Sequence, residues 1–162
     1  MSDRRMDVIG HGLVAGVIGY GIVAALGIGV SILSGKPPFH TAAVLGATLL
    51  GDAVDPATFA VTPGYVFAYN GVHLLAFLTF GLLGSWLATL ADRGAQLWYV
   101  ALFLFMFVGF HMIAVAQSFS EPVRAAVSES AIWMGGIVAS LAMAAYLILM
   151  HPALRVAQRW DG

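Results

Sequence analysis

The chain contains no cysteine. That excludes disulfides, thiolate-bound zinc, Cys-ligated iron–sulfur clusters, covalently attached haem and thiol catalysis. Charge is scarce as well. Seven Lys or Arg and eight Asp or Glu make up 9% of 162 residues, against about 25% in an ordinary soluble domain. The formal net charge is −1, so no nucleic-acid surface is expected. The sequence carries no P-loop, GxGxxG, HExxH or GxSxG pattern, which removes the common nucleotide, zinc-protease and serine-hydrolase signatures.

What is present is apolar: 60% of residues are hydrophobic and mean hydropathy is +0.92. Every Asp, Glu, Lys and Arg falls outside four stretches, 8–33, 64–90, 97–118 and 131–151. Each has about 20 residues or more, enough to cross a hydrocarbon core about 30 Å thick. The expectation is an all-α, four-transmembrane-helix bundle, one membrane domain over 1–162. The first apolar run is too long for a signal-peptide core, so it reads as a retained span.

Lys and Arg are distributed unevenly between the two sides. Arg4, Arg5, Arg93, Arg155 and Arg159 fall on one side, Lys36 and Arg124 on the other. This predicts cytoplasmic termini, a cytoplasmic 91–96 turn, and outward 34–63 and 119–130 connections. For a bacterial host the location is the inner membrane. Tyr65, Trp86, Trp98, Tyr99, Trp133 and Trp160 fall near span ends, where aromatic rings suit the interface.

The first span is rich in glycine, and Gly12 and Gly16 form a small-xxx-small pair. Such a pair lets a helix approach closely, either within this bundle or on another subunit. Pro37-Pro38 ends the first helix. The apolar segment from Thr41 to Gly51 spans only about 16 Å, so 37–55 reads as an outward interfacial or re-entrant segment. It would plug the outer end of the bundle or dock an extrinsic partner. Residues 120–124 suggest a short surface helix, Ser130 a helix cap, and the basic tail after His151 a helix on the cytoplasmic surface.

Histidine is the side chain left within the spans that titrates near neutral pH. His73 lies about 14 Å into the second span and His111 about 10 Å from the outer end of the third. A short turn makes these spans antiparallel neighbours, so the two imidazoles share a depth in the outer leaflet. Tyr69, Asn70 and His73 share one helix face, as do His111 and Ser118, with Gln117 nearby. His11 and His151 form a second pair at the cytoplasmic ends of the first and last spans. His40 reads as an exposed loop histidine.

Four readings of the deeper pair stand open. Polar groups in lipid must find partners, so the cluster can be helix glue. His73 and His111 can hold a b-type haem, with Tyr65 and Arg124 toward its propionates. The crowding of Phe103, Phe105, Phe107 and Phe110 near His111 counts against a porphyrin. Tyr69, Asn70 and His73 can bind a quinone or a lipid headgroup. Two histidines without a carboxylate or thiolate make an incomplete zinc shell. Met106, Met112, Met134 and Met143 read as packing filler.

Several stretches resemble a family of uncharacterised small four-helix bacterial membrane proteins: residues 35–39 (GKPPF), 44–46 (VLG), 72–77 (VHLLAF) with Gly81, and 151–154 (HPAL). The resemblance covers most of the chain and implies the architecture alone. From the residues, the expected role is a non-catalytic accessory subunit of a larger membrane complex, of the respiratory or photosynthetic electron-transfer kind. The alternative is a haem- or quinone-binding electron carrier. A transporter ranks third, because no charge lies within a span.

Overall fold

A proline-free run at the start of the chain forms one long helix, α1, Ser2–Leu33. It stops where Gly35 adopts φ 70. The Gly35 N–H bonds the Ile32 carbonyl at 3.0 Å and the Lys36 N–H bonds the Ser31 carbonyl at 2.9 Å, a Schellman closure of the last turn. The computed structural model describes residues 2–52, 54–91, 121–126 and 129–151. Among the described residues the remaining elements are α2, His40–Leu49; α3, Pro63–Ala91; α4, Glu121–Ala126; and α5, Glu129–Met150. All of them are helices.

Stretches Asp7–Leu33, Pro63–Leu90 and Ser130–Met150 are each long and apolar enough to cross a membrane. The chain is therefore a helical membrane protein. These elements match the expected spans 8–33, 64–90 and 131–151. The expected span 97–118, with His111, Gln117 and Ser118, lies outside the described residues. So do the 91–96 turn beyond Ala91, Trp98, Tyr99 and the basic tail with Trp160.

α1 is the hub. Gly12 faces Leu82, Gly16 faces Leu78, and Tyr20 meets Asn70, so α1 and α3 run antiparallel. On its other flank His11 meets Tyr146, Gly19 meets Met143, and Val23 and Leu26 meet Gly135. α5 is therefore also antiparallel to α1, and α3 and α5 run parallel to each other. The chain leaves α3 at the end of the bundle that holds His11. It re-enters at the opposite end, where Val123 of α4 packs on Val44 and Leu45 of α2.

The closeness of α1 and α3 depends on glycine. A Cβ at Gly16 would stand 2.7 Å from Leu78 Cα, one at Gly12 would stand 2.7 Å from Leu82 Cα, and one at Gly81 would strike the Gly12 carbonyl oxygen. The small-xxx-small pair is thus occupied within the chain. A second cluster, Phe77, Ala139 and Met143, joins α3 to α5 beside Tyr20 and Val23 of α1.

The 37–55 segment holds α2, which begins at His40 after Pro37-Pro38-Phe39 and closes at Gly51, φ 85. Its own Schellman bonds run from the Gly51 N–H to Thr48 and from the Asp52 N–H to Ala47. α2 lies against α3, with Gly46 on the Tyr65 backbone carbonyl. Ser31 and Thr41 hydroxyls, 2.8 Å apart, tie it to α1. Asp55 organises the following turn, accepting from the Ala57 N–H and the Thr58 hydroxyl. Two expectations need correction. His40 is not an exposed loop residue: it is the first residue of α2 and is 8% exposed. Its N–H bonds the Pro37 carbonyl, which draws it into the helix start. Ser130 lies inside α5, one residue past Glu129, rather than capping it.

Candidate binding cleft between the helices

The cleft forms because α1 holds α3 and α5 on separate flanks while α2 packs at the end of the bundle opposite His11. Among the described residues it is a cavity of about 630 Å3. Most of its wall is apolar, from residues such as Val23, Leu26, Leu45, Val66, Phe77 and Ile132. Tyr20, Asn70, Tyr69, His73 and Thr41 supply the polar part of the wall. A small number of polar groups in an apolar pocket is the usual composition of a small-molecule site.

The helical repeat explains this polar group. Tyr69 and Asn70 fall about one turn before His73 on α3, so both neighbour it on one face. The Tyr20 hydroxyl donates to Asn70 Oδ1 at 2.9 Å. Asn70 Nδ2 donates to the Val66 carbonyl at 2.8 Å, back along its own helix. The Tyr69 hydroxyl and His73 Nε2 are 3.2 Å apart, with ring centroids 4.2 Å apart. The next ring along α3, Phe77, is 6.1 Å from the imidazole.

The sequence-derived site residues therefore divide. Tyr69, Asn70 and His73 do line one cavity, while His111 lies outside the described residues. Tyr20 went unrecognised. Its signal was a lone hydroxyl in the middle of an apolar span, which must find a partner in lipid. Gly12 and Gly16 lie away from the cleft, in the α1–α3 contact.

The residues described do not fit a haem. His73 Nε2 is engaged with Tyr69, and the imidazole is flanked by the Tyr69 and Phe77 rings of its own helix. An iron taking that nitrogen would have to displace Tyr69. The two groups expected near the propionates are engaged elsewhere. The Tyr65 hydroxyl donates to Asp52 Oδ2 at 2.7 Å, and Arg124 pairs with Glu121 at 3.7 Å.

The second histidine pair does come together at the far end of the bundle. His11 Nδ1 is 3.1 Å from the Tyr146 hydroxyl, and the His11 and His151 ring centroids are 5.9 Å apart, edge to face. These contacts fasten the first and last long helices where both reach the interface. No group of three His, Cys, Asp or Glu side chains placed to hold a metal ion occurs among the described residues.

Compared with known proteins, the chain matches no protein family, no curated protein and no solved structure. The functional reading rests on the geometry.

Proposed function

We propose that the protein is a non-catalytic, four-span subunit of a larger membrane complex, and that its cleft holds a lipid-soluble molecule. The cleft carries this reading: a cavity of about 630 Å3, apolar over most of its wall, with Tyr20, Asn70, Tyr69 and His73 among its lining residues. Those polar groups hold helices and offer hydrogen bonds. Their pairings, tyrosine with amide and tyrosine with imidazole, bring together no carboxylate and no strong nucleophile.

Connectivity supports a fourth span. α3 and α5 run parallel, which favours a return crossing between them. Residues 97–118 are uncharged and long enough to make that return as a helix. The bias of Lys and Arg favours cytoplasmic termini and, in a bacterium, the inner membrane. Electron-transfer assemblies are the favoured class of complex. They commonly carry small helical subunits, and histidine is the side chain within the spans that titrates near neutral pH.

The test is extraction in a mild detergent followed by native electrophoresis. The tagged chain should migrate with one defined larger complex and separate from it as a colourless protein in harsher detergent. Migration as a lone chain under every condition would overturn the accessory role. A b-type band in the reduced-minus-oxidised spectrum, lost in His73→Ala, would replace it with an electron carrier.

A further inference from the structure

We infer that the occupant of the cleft is a neutral, carbonyl-bearing lipid of the quinone class, with its ring hydrogen-bonded at Asn70. This rests on the reading of the cleft as a binding site and adds the chemistry of what it binds. Three observations lead to it.

The first is depth. Tyr20 is equidistant from the ends of the span Asp7–Leu33, and Asn70 lies about two turns inside the span Pro63–Leu90, so the pair sits within the apolar part of the bundle, between its middle and the end that holds α2. The described lining residues include no Asp, Glu, Lys or Arg. A phosphate, carboxylate or ammonium group at that depth would be a charge in hydrocarbon without a counter-ion. A phospholipid headgroup is therefore the wrong chemistry, whereas an uncharged ring with oxygen substituents pays no such penalty.

The second is the donor inventory. The Asn70 amide has two N–H groups and gives one to Val66. The other remains for a ligand carbonyl. The Tyr20 oxygen donates its proton to Asn70 but keeps acceptor capacity. A carbonyl can accept from Asn70, and the hydroxyl of the reduced form can donate to Tyr20. The pair suits both forms of a quinone without rearrangement.

The third is the mouth. Phe39 and Phe67 line the cavity and are 48% and 76% exposed. Both belong to the outer end, in the α2 and α3 segments. The entrance is framed by apolar rings, which suits a ligand arriving from lipid rather than from water.

The probe is decylubiquinone, added to the purified full chain in detergent, with bound quinone counted after gel filtration and Tm followed against concentration. Decanol and phosphatidylglycerol serve as comparison ligands. Saturable binding near one per chain is expected, with a rising Tm. Asn70→Leu should weaken it about fivefold, the worth of one neutral hydrogen bond. Gly136→Leu should abolish it. Gly136 lines the cavity and an added Cβ there meets nothing within 4 Å, so the new side chain fills the cleft without disturbing the fold. Gly10→Leu, on the open face of α1, should bind as the parent does.

Quinone binding untouched by Asn70→Leu and Gly136→Leu would overturn the inference. Saturable binding of decanol or phosphatidylglycerol that Gly136→Leu abolishes, with none of quinone, would leave the cleft as a binding site and overturn the quinone class alone. No saturable binding of any of the three would overturn both.

Discussion

The Tyr20 hydroxyl, near the middle of α1, and the Asn70 carboxamide, about two turns into α3, join the two helices at 2.9 Å. Neither side chain has water as an alternative partner at that depth. Tyr20→Phe should therefore destabilise the bundle by about 0.6–1.7 kcal/mol, the range measured for hydrogen bonds between membrane helices. Asn70→Leu should cost a similar amount, and the double variant less than the sum of the two, because the bond is lost only once. Unfolding in graded denaturing detergent measures all three. Additive losses would mean that the two groups do not interact.

The glycine contact is a sharper test because it sets backbone against backbone. Gly16→Leu would drive a side chain into Leu78 Cα and the Phe77 carbonyl oxygen, both 2.7 Å from the added Cβ. Neither can yield as a flexible side chain could. Overpacking of this kind costs about 1–3 kcal/mol or more. Gly21→Leu meets nothing within 4 Å and should be nearly neutral. The isolated chain should show this contrast without any partner present. Equal effects of the two variants would place the Gly12–Gly16 face outside the chain's own packing.

What was legible in the sequence is what local chemistry determines. The three described spans could be read because apolar length is a property of the chain alone. α2 could be read because Pro37-Pro38 and Gly51 punctuate it at both ends. The shared face of Tyr69, Asn70 and His73 follows from the helical repeat. The choice of partners did not follow. Nothing local pairs Asn70 with Tyr20 fifty residues away, or sends the Gly12–Gly16 face to α3 rather than to another subunit. His40 was misread for the same reason: two prolines beside a histidine suggest a loop, and burial is decided by how α2 docks.

That docking is open to a direct test. Gly46 lies on the Tyr65 carbonyl, and a Cβ there would also stand 2.7 Å from the Tyr65 carbonyl carbon. Gly46→Val should lift α2 from α3. A single cysteine at Ala43, 0% exposed in the native packing, reports the change. It should resist a water-soluble maleimide alone and react when combined with Gly46→Val. Gly64→Val, with nothing within 4 Å of its Cβ, is the control and should leave it protected. Protection in all three backgrounds would mean that α2 tolerates the added bulk.

The parity of the bundle gives the last prediction. α1 runs one way and α3 and α5 the other, so the C-terminal end of α3 and the start of α4 lie at opposite ends of the bundle. The absence of native cysteine makes single-cysteine labelling free of background. Ala95→Cys and Ser128→Cys place reporters on either flank of residues 97–118. In right-side-out vesicles a membrane-impermeant maleimide should label Ser128→Cys and spare Ala95→Cys until the membrane is opened. Inverted vesicles should reverse the pattern; the positive-inside bias predicts which side is which. Labelling of both positions from the same side would remove the 97–118 crossing and require the chain to return around the bundle. Labelling from opposite sides with the sense reversed would keep four spans and place the termini outside.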